Sequence, residues 1–139
     1  QKVRDAVFDP FEYLVLRHKE NRLNTEFKQP LGKVAYHVAC HQRVQNIGMK
    51  TRDVLQLVPD TEVVPIERCS GHDGIYTVKS EFHDTAMKIC RPVVNKVKQA
   101  SPDHYTSDCA MAAHHIESGL ADGSRPQHPI SLIRRAYGL

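Results

Sequence analysis

Three of the four cysteines in this 139-residue sequence lie where tight turns could bring them together. The stretch Cys69-Ser70-Gly71-His72-Asp73-Gly74 carries a thiol, an imidazole and a carboxylate, and its two glycines permit a tight turn close to a bound group. Cys40 and Cys109 each follow a strand-like run. Thiolates are soft ligands that suit zinc or iron–sulfur clusters. We therefore expect the three cysteines to converge on one metal or iron–sulfur centre.

Histidines close to these cysteines could complete or tune such a centre. His72 is the preferred fourth ligand, because it belongs to the same glycine-containing turn as the second cysteine. His37 and His41 lie on either side of Cys40 in the sequence, and they are expected to tune or complete the centre. The predicted metal ligands are Cys40, Cys69, Cys109 and His72, and the predicted cofactor contacts are His37, His41 and Gly71.

The fourth cysteine has a different setting. It belongs to an apolar stripe with helical spacing, and free cysteine is a common core residue. We therefore predict that Cys90 packs in the core and binds no metal. His114 and His115 are neighbours on a predicted helix, so at most one of them can face the site, and neither is favoured as a ligand. The stripe consists of Phe82, Ala86, Cys90, Val93 and Val97.

Strand-like and helical patterns alternate along the chain, which indicates an α/β domain around a mainly parallel sheet of about four strands. In such sheets ligands bind at the carboxyl ends of the strands. The three cysteines each follow a predicted strand and His128 ends the fourth, so the metal site is expected at this edge, with helices flanking the sheet. The predicted strands are residues 33–38, 62–67, 103–107 and 125–128; the predicted helices are residues 5–20, 52–58, 80–100, 109–119 and 129–138, with a loop at 42–50.

Three prolines affect these assignments. Pro10 either occupies the first turn of the first helix or makes that helix begin late. Pro65 weakens the second predicted strand, because it has no amide hydrogen for the ladder. Pro92 is expected to kink the long helix.

Composition excludes several classes of protein. The length fits one domain, and a net charge of +3 is too small and too scattered to argue for nucleic-acid binding. No apolar run approaches the roughly 20 residues of a membrane span, and no secretory signal opens the chain. Widely spaced cysteines without a signal favour metal or redox chemistry over a disulfide scaffold. We expect a cytoplasmic protein, and an opening Gln1 suggests a piece of a longer chain.

Five short motifs follow one another in a characteristic order: Tyr36-His37-Val38-Ala39-Cys40-His41, Gln45-Asn46-Ile47-Gly48, Cys69-Ser70-Gly71, Asp108-Cys109 and His128-Pro129. Together they resemble the cysteine-rich "CCG" domain found in heterodisulfide reductase and in the iron–sulfur subunit of anaerobic glycerol-3-phosphate dehydrogenase. The resemblance covers about residues 33–139, preceded by an N-terminal helix and connector at 1–32 that looks like the segment introducing the last such domain in the dehydrogenase.

This resemblance implies an electron-transfer domain of a larger iron–sulfur oxidoreductase, not catalytic alone, with other domains or subunits as partners and any membrane contact made through them. It implies a cluster, most simply of the four-iron type, held by Cys40, Cys69 and Cys109. Two family cysteines are missing, because Ser70 and Ala112 occupy their positions. The alternative is therefore a structural zinc-binding or interaction module derived from such a domain, with three cysteines and one histidine as zinc ligands.

Overall fold

A three-stranded parallel sheet forms the centre of the computed structural model, which describes residues 1–139. Strands β1 (Gly32–His37), β2 (Thr61–Ile66) and β3 (His104–Ser107) are arranged in the order β2-β1-β3. The parallel α/β architecture predicted from the sequence is therefore confirmed. The helices are α1 (Lys2–Asp5), α2 (Pro10–Lys19), α3 (Cys40–Val44), α4 (Lys50–Leu55), α5 (Ser80–Ala100), α6 (Ala110–Leu120) and α7 (Pro129–Ala136).

The central strand β1 divides the core into two parts, because successive side chains of a strand point to opposite faces of the sheet. Val34, Tyr36 and Val38 pack on one face with residues of α2, α4 and α7. Ala35 packs on the other face with residues of α5 and α6. The buried side chains of α5 are Ala86, Cys90, Val93, Val94 and Val97, so the predicted apolar stripe, including Cys90, is confirmed apart from the half-buried Phe82.

The predicted fourth strand, at residues 125–128, is wrong. This segment runs beside β3 but shares a single backbone hydrogen bond with it, from the Gln127 amide to the Tyr105 carbonyl. Pro126 has no amide hydrogen, so the segment cannot continue a ladder. His128 instead caps α7, since its Nδ1 accepts the Ile130 amide at 3.3 Å. The sheet consequently ends at β3.

Local signals decide several element boundaries. The first long helix begins at Pro10 rather than at residue 5, because Asp9 and Glu12 form a capping box that fixes its start. The predicted loop at 42–50 is partly wrong, since α3 begins directly at Cys40. The helix predicted at 52–58 lies at Lys50–Leu55.

The prolines inside the predicted elements are accommodated. Pro65 stays within β2, because β2 is an edge strand and pairs with β1 alone. The long helix α5 continues through Pro92. No helix in residues 1–139 is both long enough and apolar enough to cross a membrane.

Replacing Cys90 with alanine should lower the free energy of unfolding by about 1 kcal/mol, because its side chain is fully buried in the core beside α6. Urea denaturation of the metal-free protein measures this change. Cys40→Ala is the matched control, since Cys40 is exposed and its replacement should change stability by less than about 0.5 kcal/mol. Equal effects of the two substitutions would contradict the placement of Cys90 in the core.

Candidate metal centre

The structure places three cysteines on neighbouring turns at the carboxyl edge of the sheet. Cys40 follows the end of β1 by three residues, Cys69 follows β2 by three, and Cys109 follows β3 by two. Adjacent strands lie about 5 Å apart, so the three turns are direct neighbours. All three thiols are free, with Cys40 and Cys69 exposed and Cys109 half-buried. Their predicted position after parallel strands is confirmed.

The side chain of His37, at the end of β1, joins the turns on both of its sides. Its Nε2 donates to the Arg68 carbonyl at 2.8 Å, because a carbonyl oxygen can only accept. In the neutral ring Nδ1 then accepts from the Ser107 hydroxyl at 3.0 Å. The Ser107 oxygen in turn accepts the Cys109 amide at 3.3 Å. His37 thereby connects the residue before Cys69 to the backbone of Cys109.

These bonds define what His37 can do at the site. Both ring nitrogens are already hydrogen-bonded to protein atoms, so the ring positions the cysteine turns and offers no free nitrogen to a cofactor. Burial lowers the pKa of His37, although the Arg68 carbonyl and the charge of Asp108 oppose this shift. The lowered pKa favours the neutral form of the ring, which is compatible with both hydrogen bonds.

A second group of hydrogen bonds is centred on Asp108. Its Oδ2 accepts from the Tyr36 hydroxyl at 2.7 Å, and its Oδ1 accepts from the Thr51 hydroxyl at 2.7 Å. The Tyr36 oxygen also lies 2.5 Å from Oε1 of Gln42, a buried residue of α3. Because the phenol has one proton, it serves one of these acceptors, and the carboxylate is the stronger. Asp108 thus links β1 and α4 immediately before Cys109.

Burial is the main reason that the pKa of Tyr36 is raised far above its ordinary value, and the charge of Asp108 adds to the effect. The phenol therefore stays protonated and continues to donate. Asp108 does not cap α6, where Cys109 itself occupies the N-cap position. The side chain of Asp108 is directed toward its buried partners. The thiol of Cys109 is left at the carboxyl edge of the sheet.

The glycine-containing turn packs tightly against α5. Gly71 has a φ of +77°, and a Cβ atom at this position would overlap the Ala86 carbonyl oxygen. Its amide donates to Cys69 Sγ at 3.4 Å, so the turn supports its own thiol. The predicted close approach of the Gly71 backbone is therefore made to α5. Whether it also approaches a cofactor stays a prediction.

Two histidines, His72 on this turn and His115 on α6, each have a buried ring nitrogen. Nε2 of His72 and Nε2 of His115 are both buried without a hydrogen-bond partner. Burial lowers the pKa of His115, and its hydrogen bond with the Ala86 backbone opposes this shift. The sequence did not favour His115 as a ligand. Its neighbour His114 is also a histidine, and the two differ only in the side of the helix on which they lie. His41 is half-buried in the first turn of α3.

The buried thiol of Cys90 borders the same region. Its Sγ lies 3.9 Å from the His115 carbonyl oxygen. Burial raises the pKa of Cys90 to about 11, and the nearby Cys69 adds to this rise. A thiol in this state is protonated at neutral pH, which is the form that packs in a core. Cys90 is thus close to the candidate centre, but its thiol is not in the deprotonated form that a metal ligand requires.

A single metal ion and an iron–sulfur cluster require different arrangements of the side chains that bind them. No three histidine, cysteine, aspartate or glutamate side chains in residues 1–139 lie close enough together to hold a single metal ion. Thiolates of an iron–sulfur cluster bind different iron atoms, so they need not share one coordination sphere. Three free cysteines at the carboxyl edge of the sheet and an unpartnered imidazole nitrogen of His72 are donors of the types that such a group uses.

Comparison with known proteins identifies a curated relative of part of this chain. The chain is 31% identical over 90 residues to an uncharacterized iron–sulfur protein of Methanocaldococcus jannaschii. The match covers 63% of this chain and 18% of that protein, so the chain spans only a small part of its relative. No family model and no solved structure matches the chain. The chain is therefore similar to part of an iron–sulfur protein.

Gly71→Ala should destabilise the protein more than Gly74→Ala does. Both positions have positive φ, which costs a residue with a Cβ atom about 1–2 kcal/mol, but only position 71 adds an overlap with α5. The space around Gly74 is open within 4 Å. Urea denaturation compares the two variants. Equal losses of stability would show that the turn does not pack against α5 as described.

Stability should fall on acidification below about pH 6.5. The pKa values of His37, His104 and His115 are all lowered from 6.5 in the folded protein, with burial as the largest cause. The unfolded chain therefore binds more protons, so their contribution is complete above pH 6.5 and is lost as the pH falls through the folded-state values. Urea midpoints between pH 5 and 8 measure this effect.

The slope of that pH dependence tests His37 in particular. His37→Asn should reduce the slope and also lower stability at pH 8, because it removes the buried ring. His114→Asn is the control, since His114 is exposed and its replacement should leave the slope nearly unchanged. An unaltered slope in His37→Asn would contradict the neutral, buried state of that ring.

Proposed function

We propose that this chain is an iron–sulfur cluster-binding domain whose cluster is held at the carboxyl edge of the sheet. The observation that carries the proposal is the arrangement of three free cysteines on three adjacent turns of one parallel sheet. The similarity to part of an iron–sulfur protein supports it independently of the geometry. Cys40, Cys69 and Cys109 supply thiolates, and His72 supplies the fourth ligand through its partnerless Nε2.

The resemblance to the CCG domain suggests the setting in which this cluster works. In this proposal the chain is one domain of a larger oxidoreductase, and the boundary near residue 32 separates an introducing helix from the cluster domain. The substrate would then be handled by other domains or subunits, and a cluster bound here would supply electron transfer between them. A four-iron cluster is the simplest form that three thiolates and one imidazole could hold.

The residues around the cysteines have separate tasks. When bound, the cluster accepts and releases one electron at a time. The Gly71 amide, which donates to Cys69 Sγ, would stabilise the negative charge on this sulfur and so raise the reduction potential. His37 and Asp108 act earlier, since their hydrogen bonds hold the turns that carry Cys69 and Cys109 in place before the cluster assembles.

Anaerobically purified protein should be brown and contain iron together with acid-labile sulfide. Cys69→Ala should lose most of the iron and the sulfide, because it removes a proposed ligand from the turn that also carries His72. Cys90→Ala is the matched control and should keep the cluster, since Cys90 is a buried core residue. Elemental analysis and visible absorption measure these contents.

Two outcomes would overturn the proposal. One is a colourless protein without iron after anaerobic reconstitution. The other is one zinc ion bound per chain in place of iron and sulfide, which would identify the structural zinc module instead. Loss of the cluster in Cys90→Ala would reassign Cys90 as a ligand.

A further inference from the structure

A groove of about 450 Å³ lies between α7 and the short segment that precedes this helix beside β3. Its permanently charged side chains are Arg134 and Arg135, and no aspartate, glutamate, phenylalanine or tyrosine lines it. Both arginines are exposed to solvent. We call this feature the basic groove; it comprises Pro126, Gln127, His128, Ser131, Arg134, Arg135 and Leu139.

The positive charge of the basic groove is not neutralised within the chain. The ion pairs of the protein all involve other basic residues, so no side-chain or C-terminal carboxylate lies within 4.0 Å of the Arg134 or Arg135 guanidinium groups. Cations in the last turn of a helix offset the helix dipole, which accounts for part of this placement. The dipole does not account for a third unpaired arginine, Arg125, which lies outside any helix.

Arg125 extends the positive charge beyond the basic groove. It is exposed and lines an adjoining cavity that shares Gln127 with the groove. The two carboxylates of that cavity already serve the protein, because Asp103 and Asp122 each accept a backbone amide, at 2.8 and 2.9 Å. The arginines of this face are therefore free for an outside partner, whereas its carboxylates are engaged.

One end of the basic groove lies beside the turn that carries Cys109. Pro126 and His128 also line a small cavity of about 110 Å³, together with Ser107 and Ala110. The Ser107 hydroxyl oxygen accepts the Cys109 amide, and Ala110 is the next residue in the chain. A partner bound in the groove would therefore lie next to the candidate metal centre.

The residues of this face favour an acidic protein over a nucleic acid. Single strands are bound by stacking on aromatic rings, and the groove has no phenylalanine, tyrosine or tryptophan. Duplexes are held by many phosphate contacts, whereas the net charge of the chain is only +3. Ile130 is 45% exposed one helical turn before Arg134, and it offers the apolar surface that protein interfaces bury.

We infer that the basic groove docks the acidic face of an electron-transfer protein that exchanges one electron with the cluster. In naming a redox partner, this inference rests on the proposed function. One electron passes from the reduced protein to the oxidised one, and no bond is formed or broken. Opposite charges speed such encounters and orient the two proteins, even where the contact is small and transient.

The experiment uses a flavodoxin of strongly negative net charge as the probe, because its flavin absorbance is distinct from that of an iron–sulfur cluster. Anaerobic stopped-flow mixing of flavodoxin hydroquinone with oxidised holoprotein should reduce the cluster by one electron and yield the flavin semiquinone. At low salt, Arg134→Gln/Arg135→Gln should slow this reaction about tenfold. Raising the salt to about 0.3 M should remove most of the difference, because the charges are then screened.

Two variants and a second reductant serve as controls. Lys88→Gln/Lys96→Gln removes the same charge from exposed positions of α5 and should keep most of the rate. Arg134→Lys/Arg135→Lys keeps the charge of the groove and should restore the rate. Reduced methyl viologen is a small cation that needs no docking surface, so it should reduce the cluster of every variant equally fast and show that each one is folded and loaded.

The outcomes that contradict this inference are distinct. Equal slowing in the α5 variant, or a rate that does not change with salt, would overturn the docking surface and leave the proposed function intact. Tighter binding of a short DNA or RNA than of flavodoxin, lost in Arg134→Gln/Arg135→Gln, would identify a nucleic-acid site instead. A protein without iron and sulfide would overturn the proposed function and the redox role together. Fluorescence anisotropy of labelled flavodoxin would then decide by itself whether the groove docks acidic proteins.

Discussion

The paired hydrogen bonds of the His37 ring are the interaction on which the edge of the sheet depends. One bond reaches the Arg68 carbonyl and the other reaches Ser107, whose hydroxyl also receives the Cys109 amide. Burial favours the neutral ring, in which Nε2 donates to the Arg68 carbonyl and Nδ1 accepts from the Ser107 hydroxyl. The central strand therefore determines how far apart the two outer cysteine turns lie. Shielding from water strengthens each of these bonds.

The carboxylate of Asp108 extends this control to the segment that contains Cys40. Through Tyr36 and Thr51 it ties the end of β3 to the central strand and to α4. The Tyr36 hydroxyl also lies against Gln42, two residues beyond Cys40 in α3. The polar side chains beneath the carboxyl edge of the sheet thus stabilise the fold. The thiols at its surface stay available to bind a cofactor. A charged group in such a position is tolerated because two hydroxyl groups donate to it.

The candidate centre has an open side and a closed side. Cys40 and Cys69 are exposed, whereas the Nε2 atoms of His72 and His115 are buried. In the proposed function this places the cluster at the boundary between core and surface. Electrons could then be exchanged on the thiolate side, while the buried imidazoles and the core thiol of Cys90 limit access of water from behind.

Patterns within single segments were sufficient to predict much of this protein. The alternating residues Val34, Tyr36 and Val38 predicted the first strand, and helical spacing predicted α5 with the buried Cys90, since both depend on the period of the chain alone. The third strand was predicted mainly because a helical pattern begins at Cys109. The position of each cysteine after a parallel strand followed from the same reasoning. The failed fourth strand shows the limit, because a ladder requires a partner strand, and residues 125–128 share one backbone bond with β3.

Tertiary structure decided which of the nine histidines matter and how. Residue type and spacing suggested His37 as a cofactor contact, but its neighbours occupy both ring nitrogens. Helix spacing allowed one of His114 and His115 to face the site, and only the packing of α5 against α6 distinguishes the buried His115 from the exposed His114. The sequence by itself determined the elements and the edge at which the cysteines lie, because those depend on local periodicity and strand direction. The roles of the polar side chains depend on partners far away in the chain, and folding alone brings these together.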